Sequence, residues 1–215
     1  MIKVSVFLFE NFEYADICHP LEMMKDFPAL FNVTYYSPKG GLVSSRMGVC
    51  FETEDYHSFL KKKLSEESNI QTLLILPGYR GANLGLFTPA FIKQIKTIVS
   101  LSTWTITTGI GSAMIAMTGI LVGRPAVTSV TAFSKYPGLE ELAVWNKNVT
   151  WCQSGGIFTG VDEYASREII SFFISKKCGF TSEECECLSH EETIDSEEIR
   201  KIIAENLQIS KTSVQ

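Results

Sequence analysis

The chain has 215 residues, 45% of them apolar and 20% charged, enough to bury a sizeable core without a disulfide or metal staple. Its formal net charge of −5 and the lack of a basic patch argue against nucleic acid as a partner, because phosphate binding needs clustered cations. No apolar run approaches the ~18 residues that a bilayer span needs, so no membrane association is expected.

The first ten residues lack the basic start and cleavage site of a signal peptide, which makes a cytoplasmic location the expectation. The six cysteines, Cys18, Cys50, Cys152, Cys178, Cys185 and Cys187, are then reduced thiols. Residues 2–9 are apolar and β-branched, the pattern of a buried parallel strand. Residues 15–24 read as a helix and 33–37 as a second strand, closed by the turn Pro38-Lys39-Gly40-Gly41. A short strand is expected at 49–53 and a helix near 58–66, whose Lys61, Lys62 and Lys63 form a solvated face. Residues 72–76 are the next strand, stopped by Pro77 and Gly78. A helix follows at 89–100, with Phe91, Ile95 and Ile98 turned inward. Residues 104–108 form a threonine-rich strand that turns at Gly109 into a helix of small residues. Short strands are expected at 126–128, 149–151 and 157–159, then an apolar helix at 164–177. From about Thr181 the chain is acidic. Asp195-Ser-Glu-Glu198 has the form of a capping box, and Ile199, Ile202, Ile203 and Leu207 make one helical stripe.

Strands alternating with helices predict an α/β flavodoxin-like three-layer sandwich, its central sheet mostly parallel with helices on both faces. Residues 1–180 form this domain. Residues 181–215 are a helical extension that packs on the domain or on a partner subunit. In such sheets ligands sit beyond the carboxyl ends of the strands. Three strand exits therefore carry the functional expectation. After the first strand, Asp16 is either a helix cap or a catalytic carboxylate. After the strand at 72–76, Gly78 and Tyr79 make either a plain turn or an amide cradle. At the third exit, Gly109-Ile110-Gly111 makes a sharp strand-to-helix turn of the kind that carries nucleophiles.

These segments resemble the ThiJ/PfpI superfamily, the class I glutamine-amidotransferase-like group, and within it the isocyanide-hydratase-like members and the amidase-like domains of some transcription regulators. The first family motif, Leu-Asp-x-x-Gly-Pro-x-Glu, is matched by Ala15-Asp16-Ile-Cys-His19-Pro20-Leu-Glu22. Pro-Gly-Gly-x-Gly is matched by Pro77-Gly78-Tyr79-Arg-Gly81. Val-Cys-Thr-Gly-Ser, followed by Gly-x-Leu-x-Gly-Arg-x-Ala-x-Thr, is matched without a gap by Thr108-Gly109-Ile110-Gly111-Ser112 and Gly119 to Thr128. A fourth match near Gly155 leads to the helix where the family has an acidic residue, here Glu168. The resemblance covers residues 2–179.

The resemblance implies a nucleophilic cysteine, a nearby acid and amides that polarise a carbonyl. Gly109 stands where the cysteine should be. Asp16 keeps the acidic position as a vestige. Ile110, Tyr79 and His19 replace a threonine and two glycines. The expected function is that of a catalytically silent protein that binds a small molecule or a partner in the cleft near Asp16 and Gly109. The alternative is a hydrolase, hydratase or amidase with a relocated nucleophile, Cys18 assisted by Asp16 or His19. Thr108 is expected to point into the sheet. No cofactor is expected. Cys185, Cys187 and His190 lack the spacing of a zinc site, so no metal is expected either. The resemblance also implies a homodimer.

Overall fold

A computed structural model describes residues 1–65, 70–79 and 87–178. The acidic extension, its helical stripe and the Cys185–His190 cluster lie outside the described residues, as do Arg80 and Gly81 of the second motif.

Ile2–Phe7 (β1), Phe31–Ser37 (β2), Cys50–Asp55 (β4), Thr72–Leu76 (β5), Trp104–Thr108 (β6) and Ile157–Gly160 (β10) run parallel. Gly41–Ser44 (β3) and Trp151–Ser154 (β9) close the two edges antiparallel, giving the order β3-β4-β2-β1-β5-β6-β10-β9. The fold is thus the expected α/β sandwich with a mostly parallel sheet. Strand β5 is apolar after its first residue because both of its faces are covered, and all five of its residues are buried.

Ala15–Lys25 (α1) and Glu163–Cys178 (α6) pack together on one face. Pro89–Ser100 (α3) and Ile110–Met117 (α4) pack together on the other, and Tyr56–Ser65 (α2) lies over β2 and β4. Strand β6 shows the division: Trp104 stacks edge-on against Phe173 of α6, while Thr107, of opposite parity, lies beneath Gly111 of α4. Thr88 caps α3 by accepting from the Phe91 amide at 3.2 Å.

Several boundaries differ from the sequence reading. The strand expected at 49–53 is β4, and its hairpin partner β3 was not foreseen. The strand expected at 126–128 is the two-residue Pro125–Ala126 (β7), which pairs with Val144–Trp145 (β8) in a separate small sheet. The strand expected at 149–151 starts at Trp151 as β9. Between β7 and β8 the chain also forms Val130–Lys135 (α5) and a 3-10 turn, Leu139–Leu142. No helix among the described residues is long and apolar enough to cross a membrane.

Candidate functional site

Strand β6 ends at Thr108 and α4 begins at Ile110, so Gly109 alone makes the reversal. It does so at φ 53° and ψ −127°. Glycine adopts this backbone freely, whereas any other residue there costs about 1–3 kcal/mol. The turn is fixed on both sides. The Gly109 N–H donates to Gly160 O at 2.9 Å, and Gly109 O accepts from Thr128 Oγ1 at 2.7 Å. The second bond explains why the threonine that ends the third motif matters to the turn nineteen residues earlier. A Cβ at position 109 would find Val161 O as its nearest atom among the described residues, at 3.6 Å, an ordinary contact. The elbow therefore has room for a side chain and carries none.

Asp16 lies in the first turn of α1, but it does not cap that helix. The capping position belongs to Tyr14, whose side chain makes no cap bond. The Asp16 carboxylate is buried and reaches across the strand ends. Oδ2 accepts from the Gly78 N–H at 2.7 Å and Oδ1 accepts from Thr108 Oγ1 at 2.8 Å. Thr108 thus turns its hydroxyl to Asp16 rather than into the sheet as expected. The Glu13 N–H donates to Gly78 O at 2.9 Å, and Phe12 forms an antiparallel bridge with Tyr79. The loops after β1, β5 and β6 are held together as one clasp, with Asp16 at its centre. A carboxylate that accepts two such bonds in a buried place contributes more than a neutral pair would.

Above the clasp is a cleft of about 470 Å³, within the ~300–1,000 Å³ common for small-molecule sites. Gly78, Tyr79, Gly109 and Ile110 form its floor with Asp16, as the sequence reading expected. Tyr79 is buried, with Phe9 and Phe87 packed around its ring, so its bulk is fixed. The remaining wall was not foreseen: Glu13, Ser129, Val130, Thr131, Lys135, Val161 and Asp162. Glu13 lies 3.6 Å from Arg46 Nε, and Asp162 accepts from the Ala165 amide at the start of α6. Val161 and Asp162 follow β10, a fourth strand exit that the strand-end rule also covers. Lys135 and Thr131 come from α5, one helical turn apart.

Four expected pocket or site residues lie elsewhere. Gly111 is buried under the floor; a Cβ there would overlap Thr107 Oγ1 and sit 3.0 Å from Leu76 O, so glycine is needed for helix-to-strand contact. His19 is half-buried on α1 outside the cleft lining. It is three residues past Asp16 and so ~4.5 Å further from the strand ends. Glu168 is exposed on α6, where it accepts from Thr150 Oγ1 at 2.8 Å. Cys18 is half-buried with Sγ 3.5 Å from Ala15 O, and it too is absent from the cleft wall. Burial pushes its thiol pKa up, with the charges of Glu22 and Asp16 adding to the rise. That is opposite to what an activated nucleophile requires. Among the described residues no group of three His, Cys, Asp or Glu side chains is placed to hold a metal ion.

No family model matches the chain, and no curated protein matches it by sequence. Solved structures do. A ThiJ/PfpI family protein from Pseudomonas syringae superposes with a TM-score of 0.69 at 12% identity, covering 98% of this chain and 88% of that one. DJ-1beta of Drosophila melanogaster gives 0.67 at 13% identity, over 87% of this chain and 95% of that one. An AraC family transcriptional regulator from Pseudomonas putida gives 0.68 at 13% identity, over 87% and 97%. At these identities the likeness establishes the fold, which is that of DJ-1 and ThiJ/PfpI structures.

Proposed function

We propose that the chain is a divergent ThiJ/PfpI superfamily member, nearest the isocyanide-hydratase-like branch by its motifs. In this reading it has lost covalent catalysis and binds a small molecule in the cleft above Asp16 and Gly109. The observation that carries the reading is Gly109: a nucleophile-type elbow, with space for a side chain and no reactive atom. Two further features support it. The Gly78 amide, which the resemblance would assign to polarising a substrate carbonyl, is already donated to Asp16. Cys18 lies off the cleft wall with a raised pKa, which leaves the relocated-nucleophile reading without support. The protein works in this reading as a cytoplasmic homodimer, which sedimentation would test: a monomer at micromolar concentration removes the dimer.

A fragment screen followed by amide NMR tests the binding claim. Ligands should shift Gly109, Ile110, Ser129 and Val161 together. Gly109→Leu, which fills the open position, should abolish those shifts while the rest of the spectrum stays dispersed. Shifts that cluster elsewhere, or that survive Gly109→Leu unchanged, would refute it.

A further inference from the structure

The cleft above the elbow has its backbone donors turned to the protein itself. The Gly78 N–H donates to Asp16 Oδ2 at 2.7 Å, and the Gly109 N–H donates to Gly160 O at 2.9 Å. The first amides of α4 meet a carboxylate as well. One point, the place of a Cβ on Gly78, lies 2.9 Å from Asp16 Oδ2, 3.3 Å from Gly111 N and 3.4 Å from Ile110 N. The electropositive end of α4 therefore has an anion of the chain's own beside it. An arriving oxyanion or carbonyl oxygen would compete with Asp16 for those groups and be repelled by it.

The polar atoms that the cleft does present are mainly acceptors. Val161 O lies 3.6 Å from the vacant Cβ position of Gly109, nearer than any other described atom outside residues 108–110. Glu13 and Asp162 add carboxylates to the lining. Each has a protein partner, Arg46 Nε at 3.6 Å and the Ala165 N–H at 3.0 Å, but an ionised carboxyl has about four lone-pair sites and one partner does not use them up. The Ser129 and Thr131 hydroxyls are engaged with each other at 3.0 Å. Lys135 is the one cation among the described lining residues, and it is exposed on α5 rather than set in the floor. Tyr79, Ile110 and Val130 supply apolar wall.

Given the proposed binding role of the cleft, we infer that its ligand is an N–H donor: an amine or amidine head carried on an apolar body. The head sits at the elbow against Val161 O, and the body lies along Tyr79 and Ile110. A carboxylate or carbonyl head has the wrong polarity at this place, because it would set acceptor against acceptor and leave both unpaired. The missing side chain at 109 and the engaged amides then belong to one change, from holding an oxyanion to holding a donor.

Benzamidine and benzoate share a shape and differ in polarity, and titrating each into the 15N-labelled chain tests the assignment. Benzamidine should shift the Gly109, Ile110 and Val161 amides and bind at least about tenfold more tightly than benzoate, the effect of satisfying a buried acceptor instead of opposing it. Gly109→Ala sets a methyl in front of the Val161 carbonyl and should cancel most of that preference. Lys135→Met should leave the benzamidine shifts at the three amides in place. Benzoate binding as tightly, and lost in Lys135→Met, would assign the cleft to carboxylates and overturn the proposal. Benzamidine shifts away from the elbow, or an affinity that Gly109→Ala leaves unchanged, would reduce the preference to attraction by an acidic protein and also overturn it. If neither probe binds, the donor preference is wrong, while the fragment screen above decides separately whether the cleft binds anything.

Discussion

Restoring a cysteine at the elbow is the most informative perturbation. Gly109→Cys places Cβ 3.6 Å from Val161 O, an ordinary contact. The backbone, however, stays at φ 53°, which a non-glycine residue adopts at a cost of about 1–3 kcal/mol. In a domain of this size each kcal/mol lowers Tm by about 2–4 °C, so a loss of roughly 2–12 °C is expected. The new sulfur would stand at the N-terminal end of α4. A helix N-terminus favours an anion by up to ~2 kcal/mol in a partly buried place, and about half of that lowers a thiol pKa by roughly one unit from its free value of ~8.5. The thiolate fraction near neutral pH then rises about eightfold. The lower nucleophilicity of a more acidic thiol cuts the gain in alkylation rate to roughly threefold over free cysteine. Thiolate absorbance against pH, differential scanning calorimetry and iodoacetamide kinetics read the three effects. A variant with unchanged Tm and a thiol that titrates like free cysteine would mean that residue 109 is not at a nucleophile elbow.

Asp16→Ala removes the acceptor of the Gly78 amide and the Thr108 hydroxyl, leaving both donors buried; the expected loss is about 2–4 kcal/mol by urea unfolding, with Asp16→Asn less severe. Gly111→Ala drives a methyl into Thr107 Oγ1 and the β5 carbonyls, and is expected to destabilise by at least about 1–3 kcal/mol in the same assay. Tyr136 has a buried hydroxyl without a hydrogen-bond partner among the described residues, and burial raises its pKa to about 12. The folded protein therefore holds this proton more tightly than the unfolded chain. Stability from this group is complete below the ordinary tyrosine pKa of ~10 and is lost as pH rises toward about 12. Tyr136→Phe should flatten that alkaline loss in denaturation curves measured against pH, and an unchanged slope would refute the burial argument.

The frame of the fold was legible because its punctuation is sharp. The strands at 72–76 and 104–108 and the helix at 89–100 have the boundaries read from sequence, set by Pro77, Thr88-Pro89 and Gly109. The elements missed are those too short to show a period: β7 and β8 have two residues each and α5 has six. The hairpin strand β3 was hidden behind the positive-φ glycines Gly40 and Gly41, which read only as a turn. In the cleft, the residues read from sequence that line the floor are those that backbone exits and glycines determine. His19 and Cys18 lie near Asp16 in sequence but not in the cleft wall, and Glu168, taken from the resemblance, lies on the exposed side of α6. Cys18 is two residues from Asp16, and so about 200° around the helix from it. Glu13, by contrast, was passed over although it lies in the same exit and lines the cleft.

The proposed loss of covalent catalysis requires that no activated nucleophile stands in this cleft. Time-resolved alkylation of the wild-type protein with limiting iodoacetamide at neutral pH, followed by peptide mass spectrometry, addresses it directly. Every cysteine, Cys18 included, should react no faster than free cysteine, with Cys18 slowed by its burial. Selective labelling of any one cysteine well ahead of the free amino acid, blocked by a cleft-binding fragment, would contradict the claim.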